Sequence, residues 1–307
     1  MRLDLLIVGA GPAGVSAGLW ARELGLSATV VESALIPGGQ LQHVHFSPRD
    51  VAGVRAVDGP AIASLYALQL ADAGVPLVGD RMAASLELPI AAGERPSVLF
   101  TTGERLEARA VLIATGARRR RLEVPGEREL EGHGVSYSAT RDRGQFAGRP
   151  VVVVGGGDAA YENALILADA GCDVTLLVRR LPRARPQFIS RVAHSARIQV
   201  RTGVTLLEIL GERQVRGLRI SDSAGDRELA CTGVVIKAGV IPNSEWCRTM
   251  LAHDAAGYLR VDGRHATSAP HIWAAGDVTR PLLPSIPVAM SHGAEAVASI
   301  RETLESN

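Results

Sequence analysis

Residues 5–14 read LLIVGAGPAG and decide the fold, because a short apolar run that breaks into three spaced glycines begins a dinucleotide-binding βαβ unit. The pattern predicts a buried strand, a tight turn and a helix that starts at Pro12. Gly9 permits the turn, Gly11 lets the backbone approach a pyrophosphate, and Gly14 lets the helix pack closely on the strand.

The residues after this helix support a nucleotide site. A second apolar run, Ala28 to Val31, ends at Glu32, where an acid can hydrogen-bond an adenosine ribose. The turn IPGGQL at residues 36–41 is expected to cross the face of a bound cofactor. The alternative is a glycine-rich turn with no ligand.

Length and charge limit the class of protein. The 307 residues exceed one typical domain, so two domains are expected. Thirty-three basic and 32 acidic residues give a net charge of +1, which argues against a nucleic-acid or anionic membrane surface. Lys237 is the only lysine among the basic residues.

The sequence predicts a cytoplasmic protein without metal. It has no secretory signal pattern and no apolar run long enough to span a bilayer. The cysteines, Cys172, Cys231 and Cys247, lie far apart without CxxC or metal-type spacing. His43 and His45 face one way on an extended segment, but without further ligands nearby they are expected at the surface or beside the cofactor.

One architecture occurs twice along the chain. The first copy continues with a predicted helix at 59–73, a hairpin at 97–108 and a strand at 110–114 that closes on Thr115 and Gly116. The second copy begins with GGGDAA at 155–160, and its hairpin and closing strand, at 233–237, follow those of the first copy by about 120 residues. This matching order predicts two related nucleotide-binding domains.

The two copies differ at the end of their second strand. Where the first has Glu32, the second has Arg179 and Arg180, with Arg183 and Arg185 close behind. Guanidinium groups at this position offer bidentate donors to a 2′-phosphate. The first site is therefore predicted to bind FAD and the second NADPH, and the alternative for the arginines is a solvated cluster.

The chain is expected to return to the first domain after residue 242. A strand at 272–275 closes on Asp277, whose carboxylate can accept hydrogen bonds from a ribityl chain. A helix is predicted from about Ala289 to Leu304, and its N-terminus would stabilise a reduced flavin ring. Prolines 281, 284 and 287 suggest an irregular approach to that helix.

These patterns together predict an α/β fold. It has two Rossmann-like three-layer ββα domains, with the NADPH domain inserted into the FAD domain. The predicted division is an FAD-binding domain at 1–116 and 242–307, and an NAD(P)H-binding domain at 117–241.

The motifs resemble the low-molecular-weight thioredoxin reductase family over nearly all of the chain. The matching stretches are GAGPAG at 9–14, PGGQL at 37–41, ATGA at 114–117, GVSYSAT at 134–140, GGGDAA at 155–160, RR at 179–180, PN at 242–243 and AAGDV at 274–278. The resemblance implies a homodimer that binds FAD and NADPH. It implies FAD contacts from Gly9, Gly11, Pro12, Ala13, Gly14, Glu32, Gly39, Gln40, Leu41, Ala114, Thr115, Gly116, Gly276 and Asp277, and NADPH contacts from Gly155, Gly157, Asp158, Ala159, Arg179 and Arg180.

The chain departs from this family where its electron-transferring dithiol belongs. The two CxxC positions are Ser138 and Arg141, and a serine hydroxyl cannot take part in thiol–disulfide exchange. Asp142 matches the family's proton donor. The family's Arg-Gln pair near the flavin aligns with Pro284 and Ser285.

These features predict an FAD-dependent NAD(P)H oxidoreductase that does not reduce thioredoxin. The acceptor is expected to be a ferredoxin- or flavodoxin-like carrier, a quinone, dioxygen or a small metabolite, and the run Arg118 to Arg121 would suit an acidic carrier protein. A minor alternative is direct reduction of a small disulfide. The alternative from another class is a degenerate flavoprotein with a binding or regulatory role.

Overall fold

A computed structural model describes residues 3–48, 51–55, 58–89 and 93–306. The chain divides into unit 1, Met1–Arg118 with Ile241–Asn307, and unit 2, Arg119–Val240. The predicted boundaries, after residues 116 and 241, lie within two residues of these. Among the described residues, no helix is both long and apolar enough to cross a bilayer.

The elements are numbered in chain order. The strands of the described residues are β1 (Leu5–Val8), β2 (Ala28–Val31), β3 (Leu77–Val78), β4 (Ala83–Glu87), β5 (Ser97–Phe100), β6 (Arg105–Glu107), β7 (Ala110–Ile113), β8 (Ala117–Arg119), β9 (Val135–Ser136), β10 (Pro150–Val154), β11 (Asp173–Val178), β12 (Ile198–Thr202), β13 (Thr205–Gly211), β14 (Val215–Asp222), β15 (Gly225–Ala230), β16 (Gly233–Ile236), β17 (Val240–Pro242) and β18 (Ile272–Ala274). The α-helices are α1 (Pro12–Glu23), α2 (Gly59–Asp72), α3 (Ala139–Phe146), α4 (Asp158–Asp169), α5 (Pro186–Ala193) and α6 (Ile286–Glu305). Three short 3₁₀ helices cover Gly39–His43, Glu245–Cys247 and Gly276–Thr279.

Unit 1 is built on a parallel sheet with strand order β18-β7-β1-β2-β3. Side chains of β1 alternate between its two faces, because successive residues of a strand point in opposite directions. Leu5 and Ile7 enter a core with α1, α2 and α6, whereas Leu6 and Val8 enter a core with β4 and β5. The antiparallel sheet β4-β5-β6 and the helices therefore cover opposite faces of the parallel sheet.

Unit 2 repeats this arrangement. Its parallel sheet has the order β12-β11-β10-β16-β9, and its antiparallel sheet the order β13-β14-β15. Val151 and Val153 pack with helices α3 to α5, and Val152 packs with β13 and β14. The predicted fold class, an α/β protein with two Rossmann-like three-layer domains, is confirmed.

The last helix, α6, begins three residues earlier than the prediction at Ala289. Ser285 caps it by accepting a hydrogen bond from the backbone N–H of Val288 (3.4 Å). Pro287 lies in the first turn, where a missing backbone N–H costs no helical hydrogen bond. The expectation that Pro287 belongs to an irregular approach is therefore wrong.

Candidate functional site

Unit 1 contains a cavity of about 750 Å³ at the carboxyl ends of its parallel strands. Ligands of doubly wound α/β folds bind at this edge, where the strand order reverses. Val8, Val31 and Ala114 line the cavity just where β1, β2 and β7 end. The lining also includes Gly9, Gly11, Pro12, Ala13, Glu32, Gln40, Leu41, Thr115, Gly116, Asp277, Ser285, Ile286 and Ala289.

The first glycine loop leaves one face open toward the cavity. A Cβ added to Gly9 would lie 2.4 Å from the main-chain oxygen of Ala114, and one added to Gly14 would lie 1.8 Å from that of Gly9. A Cβ on Gly11, in contrast, would meet no atom within 4 Å. Gly9 and Gly14 are therefore required by packing, whereas the missing side chain of Gly11 leaves space for a ligand.

Glu32 directly follows β2, is buried, and holds the glycine loop in position through a hydrogen bond. One carboxylate oxygen accepts a hydrogen bond from the backbone N–H of Ala10 (2.7 Å), and the other accepts from the Ser33 hydroxyl (2.8 Å) and the Ala34 N–H (3.1 Å). A carboxylate has about four acceptor sites, so one remains for a ribose hydroxyl.

The segment at residues 37–41 packs beside this loop, and its predicted passage over the face of a cofactor stays a prediction. The backbone N–H of Gly38 donates to the oxygen of Ala10 (2.8 Å), and the 3₁₀ helix Gly39–His43 follows. Gln40 and buried Leu41 both line the cavity. Gly39 lies against Gly11, because a Cβ on Gly39 would be 3.6 Å from the Gly11 Cα.

Asp277 supplies the cavity with a carboxylate that is free to bind a ligand. No described residue donates a hydrogen bond to its side chain or forms an ion pair with it, and burial raises its pKa. Asp277 is half-buried, and a partly desolvated carboxylate without a partner gains from a ligand that donates hydrogen bonds to it. Ser285 and Ile286 line the same cavity at the start of α6, whose unpaired N–H groups favour negative charge.

The residues of this cavity fit FAD. The open approach over Gly11 suits a diphosphate, and Asp277 suits a polyhydroxyl chain. The predicted contacts Gly9, Gly11, Pro12, Ala13, Glu32, Gln40, Leu41, Ala114, Thr115, Gly116 and Asp277 all line it. Gly14, Gly39 and Gly276 belong to its wall through packing rather than through the lining surface.

Unit 2 carries a second glycine loop with the same geometry. The N–H of Gly155 donates to the oxygen of Leu177 (3.0 Å), as that of Gly9 does to Val31 (2.8 Å). A Cβ on Gly155 would lie 2.3 Å from the oxygen of Lys237, and one on Gly157 would meet no atom within 4 Å. The loop therefore offers the same open approach to a diphosphate.

The charged residues around this loop divide into two groups. Arg179 and Arg180 are exposed, and no described residue pairs with either guanidinium group, so both are available to a 2′-phosphate. Asp158 is occupied, because its oxygens accept from the backbone N–H (2.7 Å) and Nε (2.6 Å) of Arg185. Contact between Asp158 and a nucleotide stays a prediction, as does contact from neighbouring Ala159.

Ser138 lies at the N-terminus of α3 and acts there as a helix cap. Its hydroxyl accepts a hydrogen bond from the Arg141 N–H (3.3 Å), and its own N–H donates to the Ser136 hydroxyl (3.0 Å). The following N–H, of Ala139, donates to the Asn163 side chain (2.9 Å). Ser138 is thus part of a satisfied polar network around the helix start.

Asp142 is held as an ionised acceptor. Arg141 donates to both of its oxygens (2.7 Å each), and Ser136 donates through its hydroxyl (2.5 Å). Burial by itself raises the pKa of Asp142, but these hydrogen bonds outweigh it and hold the pKa below its usual range. The proton-donor role stays a prediction, and the geometry weighs against it because a low-pKa carboxylate is ionised near neutral pH.

The cysteines offer no reactive thiolate. All three are free and buried. Burial raises the pKa of Cys172, and it raises the pKa of Cys231 and Cys247 to about 12 each. Thiol–disulfide exchange requires a thiolate, so these thiols are poor nucleophiles near neutral pH.

The arginine run at 118–121 and His43 do not form a ligand site of their own among the described residues. In the run at 118–121, Arg118 forms an ion pair with Glu245 (2.6 Å) and Arg121 with Glu131 (2.8 Å), which reduces the free positive charge. His43 is exposed at the end of its 3₁₀ helix. Among the described residues, no group of three His, Cys, Asp or Glu side chains could hold a metal ion.

Asn243 lines the cavity but was not predicted as a cofactor contact. It exchanges hydrogen bonds with Thr115, and its sequence signal was the PN motif at 242–243. In unit 2, Lys237 follows β16, and its main-chain oxygen lies beside Gly155.

Comparison with known proteins identifies the family. Residues 3–293 match the family described as pyridine nucleotide-disulphide oxidoreductase. The chain is 33% identical over 317 residues to thioredoxin reductase of Treponema pallidum, covering 99% of this chain and 98% of that protein. It is 32% identical over 297 residues to an alkyl hydroperoxide reductase component of Pseudomonas putida, covering 95% of this chain but only 56% of that relative's length. Lactococcus lactis thioredoxin reductase is a structural neighbour, with a TM-score of 0.85, 27% identity and full coverage of both chains.

The predicted resemblance is thereby confirmed. The family implies an enzyme that uses FAD and a pyridine nucleotide. The chain belongs to the pyridine nucleotide-disulphide oxidoreductase family.

Proposed function

We propose that the protein is an FAD-dependent oxidoreductase that takes electrons from NADPH and passes them to an acceptor other than a protein dithiol. The acceptor is proposed to be other than a protein dithiol because Ser138 caps α3 at the position where the resemblance places a reactive cysteine. The buried, high-pKa cysteines support it, because none of them can replace a dithiol.

FAD binding in unit 1 is supported by the cavity and its polar groups. Gly11 would admit the diphosphate, Glu32 would hold the ribose, and Asp277 would accept from the ribityl hydroxyls. The first turn of α6 would stabilise negative charge on the ring system. When bound, the flavin supplies hydride acceptance from a nicotinamide and the ability to release electrons singly or in pairs.

NADPH binding in unit 2 is supported by the loop at Gly155 to Gly157 and by two free guanidinium groups. Arg179 and Arg180 follow β11, where a 2′-phosphate is bound in folds of this class. Both lack partners among the described residues, so binding a phosphate would break no ion pair.

A small acceptor fits the charge distribution better than an acidic carrier protein. Arg118 and Arg121 already pair with carboxylates, which weakens the case for a docking patch at 118–121. Leu282 and Leu283 are exposed directly before cavity-lining Pro284. An apolar approach of this kind favours a quinone. A homodimer and a cytoplasmic location stay predictions.

Anaerobic stopped-flow mixing of the FAD-loaded protein with NADPH or NADH tests the proposal. Rapid bleaching of the visible flavin band by NADPH is expected. Adding quinone, ferredoxin or dioxygen to the reduced protein then ranks the acceptors by the rate of reoxidation, with quinone expected to be fastest. Absence of bleaching over minutes would refute the proposal and favour the degenerate flavoprotein. Faster bleaching by NADH would refute the 2′-phosphate assignment.

A further inference from the structure

Lys237 is a half-buried ammonium group that nothing in the proposed function uses. It follows β16 directly, and its Nζ donates a hydrogen bond to the main-chain oxygen of Tyr137 (2.6 Å). An ammonium group has three N–H donors, so two remain. No described carboxylate forms an ion pair with it.

The position of Lys237 is that of a nucleotide site. The chain runs from β10 through α4 to β11 on one side, whereas β16 flanks β10 on the other, so the crevice of this sheet opens between β10 and β16. The main chain of Lys237 forms a wall of that crevice, since a Cβ on Gly155 would lie 2.3 Å from its oxygen.

The fold itself does not require a long side chain at this position. In unit 1 the equivalent residue is Ala114, which follows β7. Its main-chain oxygen leaves no room for a Cβ on Gly9, as the oxygen of Lys237 leaves none for a Cβ on Gly155. The backbone bonds also match, because the N–H of Ala114 donates to Val8 and that of Lys237 to Val154, both at 2.8 Å. The ammonium group is therefore an addition to one copy of a duplicated framework.

The surroundings of Lys237 are poor in negative charge. Arg119 on β8 repels the Lys237 ammonium group. The pKa of Arg119 is itself lowered, first by burial and second by the nearby positive charge of Arg141 on α3. The carboxylate of Asp142 is already paired with Arg141. Tyr137 accepts from Lys237 through its main-chain oxygen only, because the Tyr137 hydroxyl donates to Glu127 (2.6 Å). Exposed Glu162 on α4 is the carboxylate that attracts Lys237. A half-buried cation with so little compensation favours an anionic ligand.

We propose that Lys237 binds the diphosphate of the pyridine nucleotide, with its ammonium group donating hydrogen bonds to phosphate oxygens beside the loop at Gly155. This inference rests on the proposed function, because it assumes that unit 2 binds such a nucleotide. It adds a phosphate ligand from β16 to those expected from the glycine loop.

A pH dependence follows from this role. Burial, together with nearby Arg119, lowers the pKa of Lys237 to about 8. The ammonium form binds phosphate and dominates below that pH, so nucleotide affinity should fall as the pH rises through about 8 and beyond. An arginine at this position would stay charged throughout this range.

Titration calorimetry of NADP⁺ into the FAD-loaded protein between pH 7 and 9.5 tests the proposal, since the oxidised nucleotide cannot reduce the flavin. Lys237→Met should weaken binding about 10-fold at pH 7, as expected for one charge-assisted hydrogen bond, and should remove the pH dependence. Lys237→Arg should retain affinity at pH 9.5. Arg213→Met, which removes an exposed charge from the turn between β13 and β14, should bind as the wild type does.

Nucleotide fragments locate the contact. 2′-Phospho-ADP-ribose keeps the diphosphate and should lose the same factor in Lys237→Met, whereas adenosine 2′-monophosphate lacks it and should bind both proteins equally. If only the complete dinucleotide lost affinity, Lys237 would contact the nicotinamide half and the proposal would be wrong. Unchanged NADP⁺ binding at every pH would also overturn it.

Labelling of the wild type avoids any folding defect of the variants. Because Lys237 is the only lysine, an amine-reactive reagent can modify this side chain and the α-amino group, which peptide mass spectrometry separates. NADP⁺ should protect Lys237 alone, and equal labelling with and without saturating nucleotide would count against the proposal. A wild type that binds neither NADP⁺ nor NAD⁺ would refute the proposed function as well. If NADPH rapidly bleached the flavin but Lys237→Met bound NADP⁺ as tightly as the wild type, this inference alone would be refuted.

Discussion

Thr115 and Asn243 exchange two hydrogen bonds. The Thr115 hydroxyl donates to the main-chain oxygen of Asn243 (2.7 Å), and the Asn243 side-chain amide donates to the main-chain oxygen of Thr115 (2.8 Å). A third bond joins the Asn243 N–H to the oxygen of Gly116 (3.0 Å). Residues 128 positions apart thereby fix the turn after β7, which lines the cavity of unit 1.

Asn243→Ala should loosen this turn and weaken FAD binding. The substitution removes the side-chain bond to the Thr115 carbonyl and the bond that the Asn243 side-chain oxygen accepts from Arg118 (2.8 Å). It leaves the Thr115 carbonyl without this donor, a loss of about 1 kcal/mol and hence roughly fivefold in affinity. Fluorescence titration of the apoprotein with FAD measures the effect. Gln199→Ala, on an exposed side chain of unit 2, should leave the affinity unchanged. Equal FAD affinity for Asn243→Ala and wild type would show that the turn does not contribute.

Gly11 and Gly14 should respond differently to alanine. A Cβ on Gly14 would lie 1.8 Å from the oxygen of Gly9, so Gly14→Ala should destabilise even the apoprotein by about 3 kcal/mol or more. A Cβ on Gly11 has open space, so Gly11→Ala should change apoprotein stability by less than about 0.5 kcal/mol while reducing FAD affinity at least tenfold.

Urea unfolding of the apoproteins and fluorescence titration with FAD separate these two effects. Each glycine variant serves as the control for the other. If Gly11→Ala bound FAD normally, the diphosphate would not cross the loop at that position.

The sequence predicted the framework well because its signals are local. The glycine spacing at 9–14 and 155–160 and the apolar strands that precede it are short-range patterns, and both copies form as expected. Side-chain partners that are distant in sequence could not be predicted in the same way. The pairing of Asp158 with Arg185 spans 27 residues, and that of Thr115 with Asn243 spans 128, so only the folded chain reveals them.

The start of α6 illustrates a different limit. Three prolines at 281, 284 and 287 suggest irregular structure, but a proline in the first helical turn is favourable and Ser285 supplies the cap. Likewise, the resemblance to the family presents Ser138 only as a lost thiol, whereas its hydroxyl caps α3. Serine is a favoured cap residue at both helix starts, so local propensity is informative at these positions.

Arg179 and Arg180 should determine the preference for NADPH over NADH. Replacing both with glutamine removes two unpaired guanidinium groups and should raise the dissociation constant for NADP⁺ by roughly 10-fold to 150-fold, as expected from about 1.5–3 kcal/mol for hydrogen bonds to a charged group. NAD⁺ binding should change little because NAD⁺ lacks the 2′-phosphate. Calorimetry with both nucleotides measures this ratio, with Arg213→Gln as the control. Equal losses for the two nucleotides would refute the assignment.

Arg141→Gln should destabilise unit 2 in a pH-dependent way. The wild-type pKa of Asp142 lies below its unfolded value, so its contribution to stability is present above about pH 4 and is lost as the pH falls through the folded pKa. Without Arg141, burial would push the pKa of Asp142 upward and make the ionised form costly in the folded state. The free-energy difference between variant and wild type should therefore grow from pH 3 to pH 7.

At pH 7 we expect a loss of about 1 kcal/mol, a value kept small because the Arg141 side chain is 45% exposed and screened by solvent. Urea unfolding at both pH values measures it. Arg143→Gln, an exposed neighbour on α3, is the matched control. A difference that did not vary with pH would show that the ion pair does not set the pKa of Asp142.

Restoring a dithiol should test whether residues 138 and 141 decide the acceptor. The Ser138→Cys, Arg141→Cys double variant should gain NADPH-dependent reduction of thioredoxin, because two thiols in CxxC spacing can form a disulfide that accepts electrons and exchanges with a partner. Either single variant should lack this activity, since one thiol cannot close the disulfide. In the double variant, loss of the Ser138 cap and loss of the Arg141–Asp142 ion pair should each lower the free energy of unfolding by about 1 kcal/mol. A folded double variant whose flavin is still reduced by NADPH, but which leaves thioredoxin oxidised, would show that residues beyond these two set the choice of acceptor.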